Sequence, residues 1–339
     1  MEAGMTAGGK NWITGIVLPL FLLAGVAAAP LFGLSANANK IVFFVLLAVV
    51  TSVGWNLLGG FAGQVSFGFA VFYGLGAYTA AILINANINP YVSFVAAAIV
   101  SAIASFLIGL PTFRLRGPYF VIATIGVTEA VRVIMSNVEF TGAASGLRLN
   151  ETRAFHQLEH YYTAVVAAAL AVAVSLVIEK SKFGLALRAI KQDEDAAADI
   201  GVDPYSTKLW VHAIAAAMTG VAGGIYARYA GFIHPPGVFA FAMSISILLM
   251  PVIGGIGSTW GAVLGAVIFQ GLIEEQLVVA FPNIHLLVNG ILLMVIVLLE
   301  PNGLLGLLRR IFRRRVEHSG SKGADQVLWG RGRLEGREL

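Results

Sequence analysis

Apolar residues run along this chain in long blocks separated by short polar stretches. The blocks lie at 12–34, 41–58, 66–84, 91–111, 118–137, 161–178, 209–230, 241–257, 259–280 and 286–307. Each comes near the ~20 residues an α-helix needs to cross a bilayer. The pattern predicts an all-α polytopic membrane protein of about ten transmembrane helices. Composition agrees: 58% of residues are hydrophobic and 12% charged, against roughly 25% charged in ordinary soluble domains. Cysteine is absent, so no disulfide framework or thiolate chemistry is available and the redox compartment stays open.

Charge then orients the spans. Ten crossings place both termini on one side, and putting the N- and C-termini in the cytoplasm collects Arg114, Arg116, the basic residues of 180–208 and the run Arg309, Arg310, Arg313, Arg314 and Arg315 there. The opposite side keeps only Lys40, Arg148 and Arg153 in its loops. Directly after a span, the C-terminal arginine run reads as an orientation signal rather than a nucleic-acid patch. The first block exceeds the 7–15 residues of a signal core and is expected to be retained. The expected organisation is a cytoplasmic segment 1–11, a transmembrane domain 12–308 with a cytoplasmic loop 181–208, and a basic, flexible cytoplasmic tail 309–339. The outer connections 138–160 and 231–240 are too short for a core of their own.

Within the loop, 183–208 is the long charged segment between two spans. Asp193 can cap a short helix, Glu194 and Asp195 load its first turn with negative charge, and Gly201 can supply a left-handed stop. Asp203 offers a second cap and Pro204 a pre-set first residue for the next helix. So short a helix needs a partner surface, and Ala196, Ala197 and Ile200 give it a small apolar side. A docking lever and a solvated connecting loop both fit this pattern. As a lever, the coupling residues are Arg188, Asp193, Glu194, Ala197, Asp199 and Gly201.

Glycine organises the spans. Gly59, Gly60 and Gly63 lie between the second and third blocks, and Gly254, Gly255, Gly257 and Gly261 between the eighth and ninth, both at expected cytoplasmic ends. Small residues let membrane helices approach closely, and glycine permits broken backbone at membrane depth. GGFAGQVSFGFAVF and GGIGSTWGAVLGAVIF also resemble each other, as an internal repeat or as a product of glycine-rich composition.

Polar residues inside spans mark candidate pathways: Asn56, Gln64, Ser66 and Glu129. Glu129 and Arg132, three apart on a helix, can neutralise each other, in a structural or a functional role. Arg228, Glu274 and Glu275 lie near outer helix ends, where snorkelling to water is the ordinary reading. His212 reads as a satisfied interfacial residue rather than a ligand. No phosphate loop, H-E-x-x-H, G-x-S-x-G elbow or histidine cluster occurs. The chain is therefore read as a non-enzyme with no bound cofactor or metal, and any uphill transport draws on a partner or an ion gradient. With Glu129 paired to Arg132, a partner is favoured over proton coupling.

The segments GGFAGQVSFGFAVFYGLGAYTAAIL at 59–83, RLRGPYFVIATIGVTEAVR at 114–132, the loop 183–208, PVIGGIGSTWGAVLGA at 251–266 and EPNGLLGL at 300–307 resemble, in order, the motifs of branched-chain amino-acid ABC importer permeases. LRGPYF points to the LivM-like subunit rather than its LivH-like sister. The resemblance implies type II importer architecture in the bacterial inner membrane, a LivH-like sister permease, two cytoplasmic ATPase subunits that use ATP and Mg, and an extracytoplasmic solute-binding protein. It implies leucine, isoleucine and valine as substrates. Urea, short amides or other small organic acids are the alternative within the family, and a gradient-driven secondary carrier or a membrane scaffold are the readings outside it.

Overall fold

The computed structural model describes residues 36–150 and 157–274, together with Leu287, Ile291 and Met294. The expected spans 12–34 and 286–307, the end of 259–280 with Glu275, and the arginine-rich tail lie outside the described residues, those three positions excepted. The count of ten crossings and the side of the termini therefore rest on the sequence alone.

Helix α1 (Ala36–Trp55) widens into a π-helical turn, Asn56–Phe61. A loop leads to α2 (Phe69–Asn85), then α3 (Pro90–Thr112) and α4 (Pro118–Asn137). After a short strand β1 (Leu147–Arg148) come α5 (Gln157–Lys180), α6 (Lys182–Gln192), α7 (Glu194–Asp199) and the long α8 (Pro204–Ala230). Strand β2 (Phe232–Ile233), α9 (Pro235–Val238), α10 (Phe241–Gly254) and α11 (Thr259–Ile268) follow, and a π-helical turn Phe269–Glu274 closes the described chain. Among the described residues six helical stretches are long and apolar enough to cross a membrane, and two shorter apolar ones, Phe69–Asn85 and Thr259–Leu272, run beside them. This is a multi-pass, all-α membrane architecture, and a helix occupies each expected block from 41–58 to 259–280.

Local chemistry sets the helix ends. Asn89 accepts from the Tyr91 amide at 2.9 Å with Pro90 in the first helical position, starting α3. Ser181 accepts from the Gly184 amide at 3.2 Å to start α6. Asp193 takes the amides of Asp195 and Ala196 at 2.9 and 3.0 Å, and Asp203 those of Tyr205 and Ser206 at 3.0 and 3.3 Å. Gly201 sits at φ +87°, a left-handed turn between α7 and α8. Helix α6 was not expected: the sequence pattern placed helices in the loop only at 193–201 and from Asp203 onward.

The spans alternate in direction. One end gathers the first glycine segment, Arg116, α6 with α7, and the turn 255–258, as the bonds Lys191 to Gly60, Arg116 to Asp195 and Asn56 to Ser258 require. The other gathers Asn85, whose side chain binds the Arg148 carbonyl and the Asn150 amide at 2.9 and 2.8 Å, and the antiparallel pair β1 and β2. The first end is the one that charge bias assigns to the cytoplasm.

Helix α8 runs through the middle of the bundle against α1, α2 and α3. With no hydrophobic drive between helices in lipid, contact depends on close packing of small residues. A Cβ on Gly220 would fall 2.2 Å from the Ser101 hydroxyl, and one on Gly76 would fall 2.1 Å from the Gly220 carbonyl oxygen.

Candidate functional site

The two glycine segments, some 200 residues apart in sequence, meet in space. Asn56, fully buried in the first π-helical turn, accepts from the Gly257 amide at 2.9 Å and donates to the Ser258 carbonyl at 3.2 Å. It thereby satisfies both polar groups of a tight turn at the end of a span, as membrane depth demands. The backbones touch as well: a Cβ on Gly60 would fall 2.8 Å from the Gly257 nitrogen, and Gly257 holds φ +82°. The π-helical turn, with its wider ring of hydrogen bonds, is a form that recurs at functional sites.

Beyond that turn the loop 62–68 is pinned from two sides. Trp55 Nε1 donates to the Ser66 carbonyl at 2.8 Å, and Ser66 Oγ, buried, accepts from the Gly68 amide at 3.1 Å. Thr124 of α4 accepts from the Phe67 amide at 3.1 Å. Gln64 is partly exposed beside Gly63, which has φ +73°. In the second segment, a Cβ on Gly254 would fall 1.8 Å from the Gly261 carbonyl, so α10 and α11 pack backbone to backbone. Gly59 lies against the Trp55 ring, 2.3 Å from where its Cβ would fall, and Gly255 makes the bend at φ +128°.

Helices α6 and α7 form an elbow lying over this meeting point. Lys191, near the end of α6, donates its amine to the Gly60 carbonyl at 2.9 Å, and desolvation there lowers its pKa from the ordinary lysine value. Arg188 donates to the Glu179 carbonyl at 3.1 Å. The Glu179 carboxylate in turn accepts from the Thr259 hydroxyl at 2.6 Å, at the first turn of α11, and Ser175 binds the same hydroxyl at 2.8 Å. Glu194 is ion-paired with Lys208, whose side chain is 4% exposed at the base of α8. Asp195 forms an exposed pair with Arg116 at 3.0 Å, which raises the Arg116 pKa through its hydrogen bond to that carboxylate.

The structure corrects the expected docking face. Ala197 is 2% exposed and packs inward, because the short helix must cover the base of the bundle with its small side. Ile200, at 76%, and Leu185, at 62%, are the large exposed apolar groups of the elbow, beside exposed Ala196 and Ala198, and Asp199 is exposed with them. Glu194 points inward to Lys208 rather than outward.

Glu129 lies apart from these residues. Its carboxylate accepts from Arg132 Nε at 2.8 Å, on a face of α4 where the Glu129 side chain is 56% exposed and that of Arg132 32%. The sequence pattern placed Glu129 in the interior; it stands on the outer surface of the described bundle. Arg228 differs in the opposite sense. Rather than snorkelling it is buried, 4% exposed, and pairs with Glu159 of α5 at 2.9 Å, which also accepts from the Tyr91 hydroxyl at 3.3 Å. A partner on the neighbouring helix α5 made burial less costly than reaching water. His212 is satisfied as expected, yet interior: it hydrogen-bonds Ser105 at 3.1 Å between the rings of Phe72 and Phe113.

In the described residues, a polar elbow folds over two joined glycine turns at one end of an apolar helical bundle. A family model described as "Branched-chain amino acid transport system / permease component" matches residues 36–297. The chain belongs to this family. It is 30% identical to the high-affinity branched-chain amino acid transport system permease protein LivM of Salmonella typhimurium, and equally to that of Escherichia coli, over 86% of this chain and 75% of each relative. The Escherichia coli permease protein LivH is 24% identical over 75% of this chain and 90% of its own length. No solved structure matches.

For this permease, sequence reasoning singled out Asn56, Ser66 and the glycines that lie at this meeting point, and did not single out Lys191, Lys208, Glu179 and Thr259, which bond around it. Lys208 carried one usable signal: a lysine entering an apolar helix just after its cap needs a counter-charge. Lys191 and Thr259 carried none, since their partners are backbone and side-chain groups distant in sequence.

Proposed function

We propose that this chain is the LivM-like subunit of an ATP-binding-cassette importer of the bacterial inner membrane. It pairs with a LivH-like sister permease and receives leucine, isoleucine or valine from an extracytoplasmic binding protein. Two cytoplasmic ATPase subunits, which use ATP and Mg, move it through the elbow. The names of the relatives support the substrate class and the pairing. The observation that carries the reading is the pair Glu129 and Arg132, well inside the span α4 and yet on the outer face of the described bundle. Charged groups at membrane depth do not face lipid; they face protein or a water-filled path. A second permease against α4 gives them both, and the exposed Leu185 and Ile200 give the elbow a surface for an ATPase. Asn56, Gln64 and Ser66 then sit at the inner end of the pathway, as gate rather than binding site.

The test is co-purification of the chain with its assembled partners, followed by reconstitution. The expected result is a complex of two permeases and two ATPases that accumulates leucine, isoleucine and valine with ATP. Accumulation by this chain alone without nucleotide would establish a secondary carrier instead, and preference for urea or short amides would replace the substrate. Glu129→Ala strands Arg132 at membrane depth and should lower uptake about ten-fold or more. Unchanged uptake would remove α4 from the path.

A further inference from the structure

Two of the contacts that tie the elbow to the bundle differ in strength. Glu194 holds Lys208, a cation almost wholly enclosed at the foot of α8, and losing the partner of such a charge is costly. Lys191 holds the Gly60 carbonyl through one hydrogen bond from a residue otherwise open to water, where the amine can rehydrate as it leaves. Movement of the elbow should therefore turn about the first contact and break the second.

The second contact lies where it has most effect. The Lys191 amine would be 3.3 Å from a Cβ on Gly257, and its Cγ 3.0 Å from one on Gly63. One side chain thus covers both glycine turns and caps a carbonyl at the C-terminal end of the first π-helical turn, where positive charge is favourable. Arg188, one turn back on α6, holds Glu179, and Glu179 holds Thr259 in the second segment.

We propose that Lys191 is a positioning residue for transport: it latches the elbow over the two joined glycine turns, and the elbow withdraws it, pivoting on the ion pair of Glu194 and Lys208, to uncover them. This rests on the importer reading above. The chain has no cysteine, so Val65→Cys, exposed in the loop between the first turn and α2, is a single reporter of whether that region is closed.

In the reconstituted complex carrying Val65→Cys, labelling by a membrane-impermeant maleimide is expected to change with ATP. With Lys191→Met added, labelling should be high and independent of nucleotide, and solute moved per ATP hydrolysed should fall about ten-fold, as for loss of one charge-assisted hydrogen bond. Lys191→Arg, which keeps the donor, should restore both. Nucleotide-dependent labelling and an unchanged transport ratio in Lys191→Met would overturn the latch. So would failure of that variant to assemble, because a latch is dispensable for folding. If the complex with native Lys191 shows no ATP-driven uptake, the importer reading fails instead, before any variant is compared.

Discussion

Helices α8 and α4 are close in mean hydropathy, yet 67% of the most apolar window of Pro204–Ala230 is buried and only 22% of that of Pro118–Asn137. Hydropathy selects both for the membrane and is silent about what each will touch. The distinction lies in small residues. In α8, Gly220 and Gly223 meet neighbouring helices so closely that a Cβ on Gly223 would fall 2.0 Å from the Tyr73 carbonyl. In α4, a Cβ on Gly126 would meet nothing within 4 Å. Among the described residues, one span is built into the permease, and the other, bearing Glu129 and Arg132, is largely uncovered.

The sharpest break of this contrast is one substitution made in each span. Gly220→Leu forces a side chain into the Ser101 hydroxyl and the Ala97 carbonyl, 2.2 and 2.8 Å from its Cβ. It should destabilise the permease by about 3 kcal/mol or more, the upper end for overpacking, seen as loss of the monodisperse, detergent-solubilised protein on heating. Gly126→Leu should leave stability unchanged or raise it by up to about 1 kcal/mol through helix propensity. Equal losses at both sites would mean that α4 is packed as tightly as α8.

A smaller effect tests how α8 is anchored at its base. Glu194→Ala strands the Lys208 ammonium, which is 4% exposed, whereas Lys208→Met removes it and leaves Glu194, 33% exposed, free to regain water. The first should cost about 2 kcal/mol, below the range for fully buried pairs because Glu194 is partly wet, and the second less than about 1 kcal/mol. Thermal midpoints of the two variants in one detergent read the asymmetry directly. The reverse order would show that Lys208 contributes packing rather than a buried charge.

What was legible in the sequence follows the range of the forces involved. The spans were legible because each needs only its own apolar length, and the caps at Asp193 and Asp203 because cap and amide lie two or three residues apart. Asn56 was legible as a polar residue within a span, but not its hold on Gly257, 201 residues away. Lys191 escaped notice for the same reason, with Gly60 131 residues distant. Ala197 and Glu129 were placed on the wrong surfaces because residue type alone does not say which face a helix turns to its neighbours. That is the difficulty hydropathy meets with α4 and α8.

The finest distinction between the two spans is at their first residues. Both begin with proline, but α8 is capped by Asp203, while Gly117 at φ +57° gives α4 no side-chain cap. Asp203→Ala should cost about 1 kcal/mol, the usual value for a lost carboxylate cap. The cap also has a pH signature. Hydrogen bonds from the Ser206 side chain and then its amide lower the Asp203 pKa below the ordinary aspartate value. A carboxylate with a depressed folded pKa contributes stability that is fully present above the unfolded value, near 3.9, and is lost as pH falls through the folded one. The gap between the native permease and Asp203→Ala should therefore be constant from neutral pH to about 5 and close on further acidification. A gap that persisted at pH 2 to 3 would mean that Asp203 acts through its shape and not its charge, making the starts of α8 and α4 more alike than their sequences are.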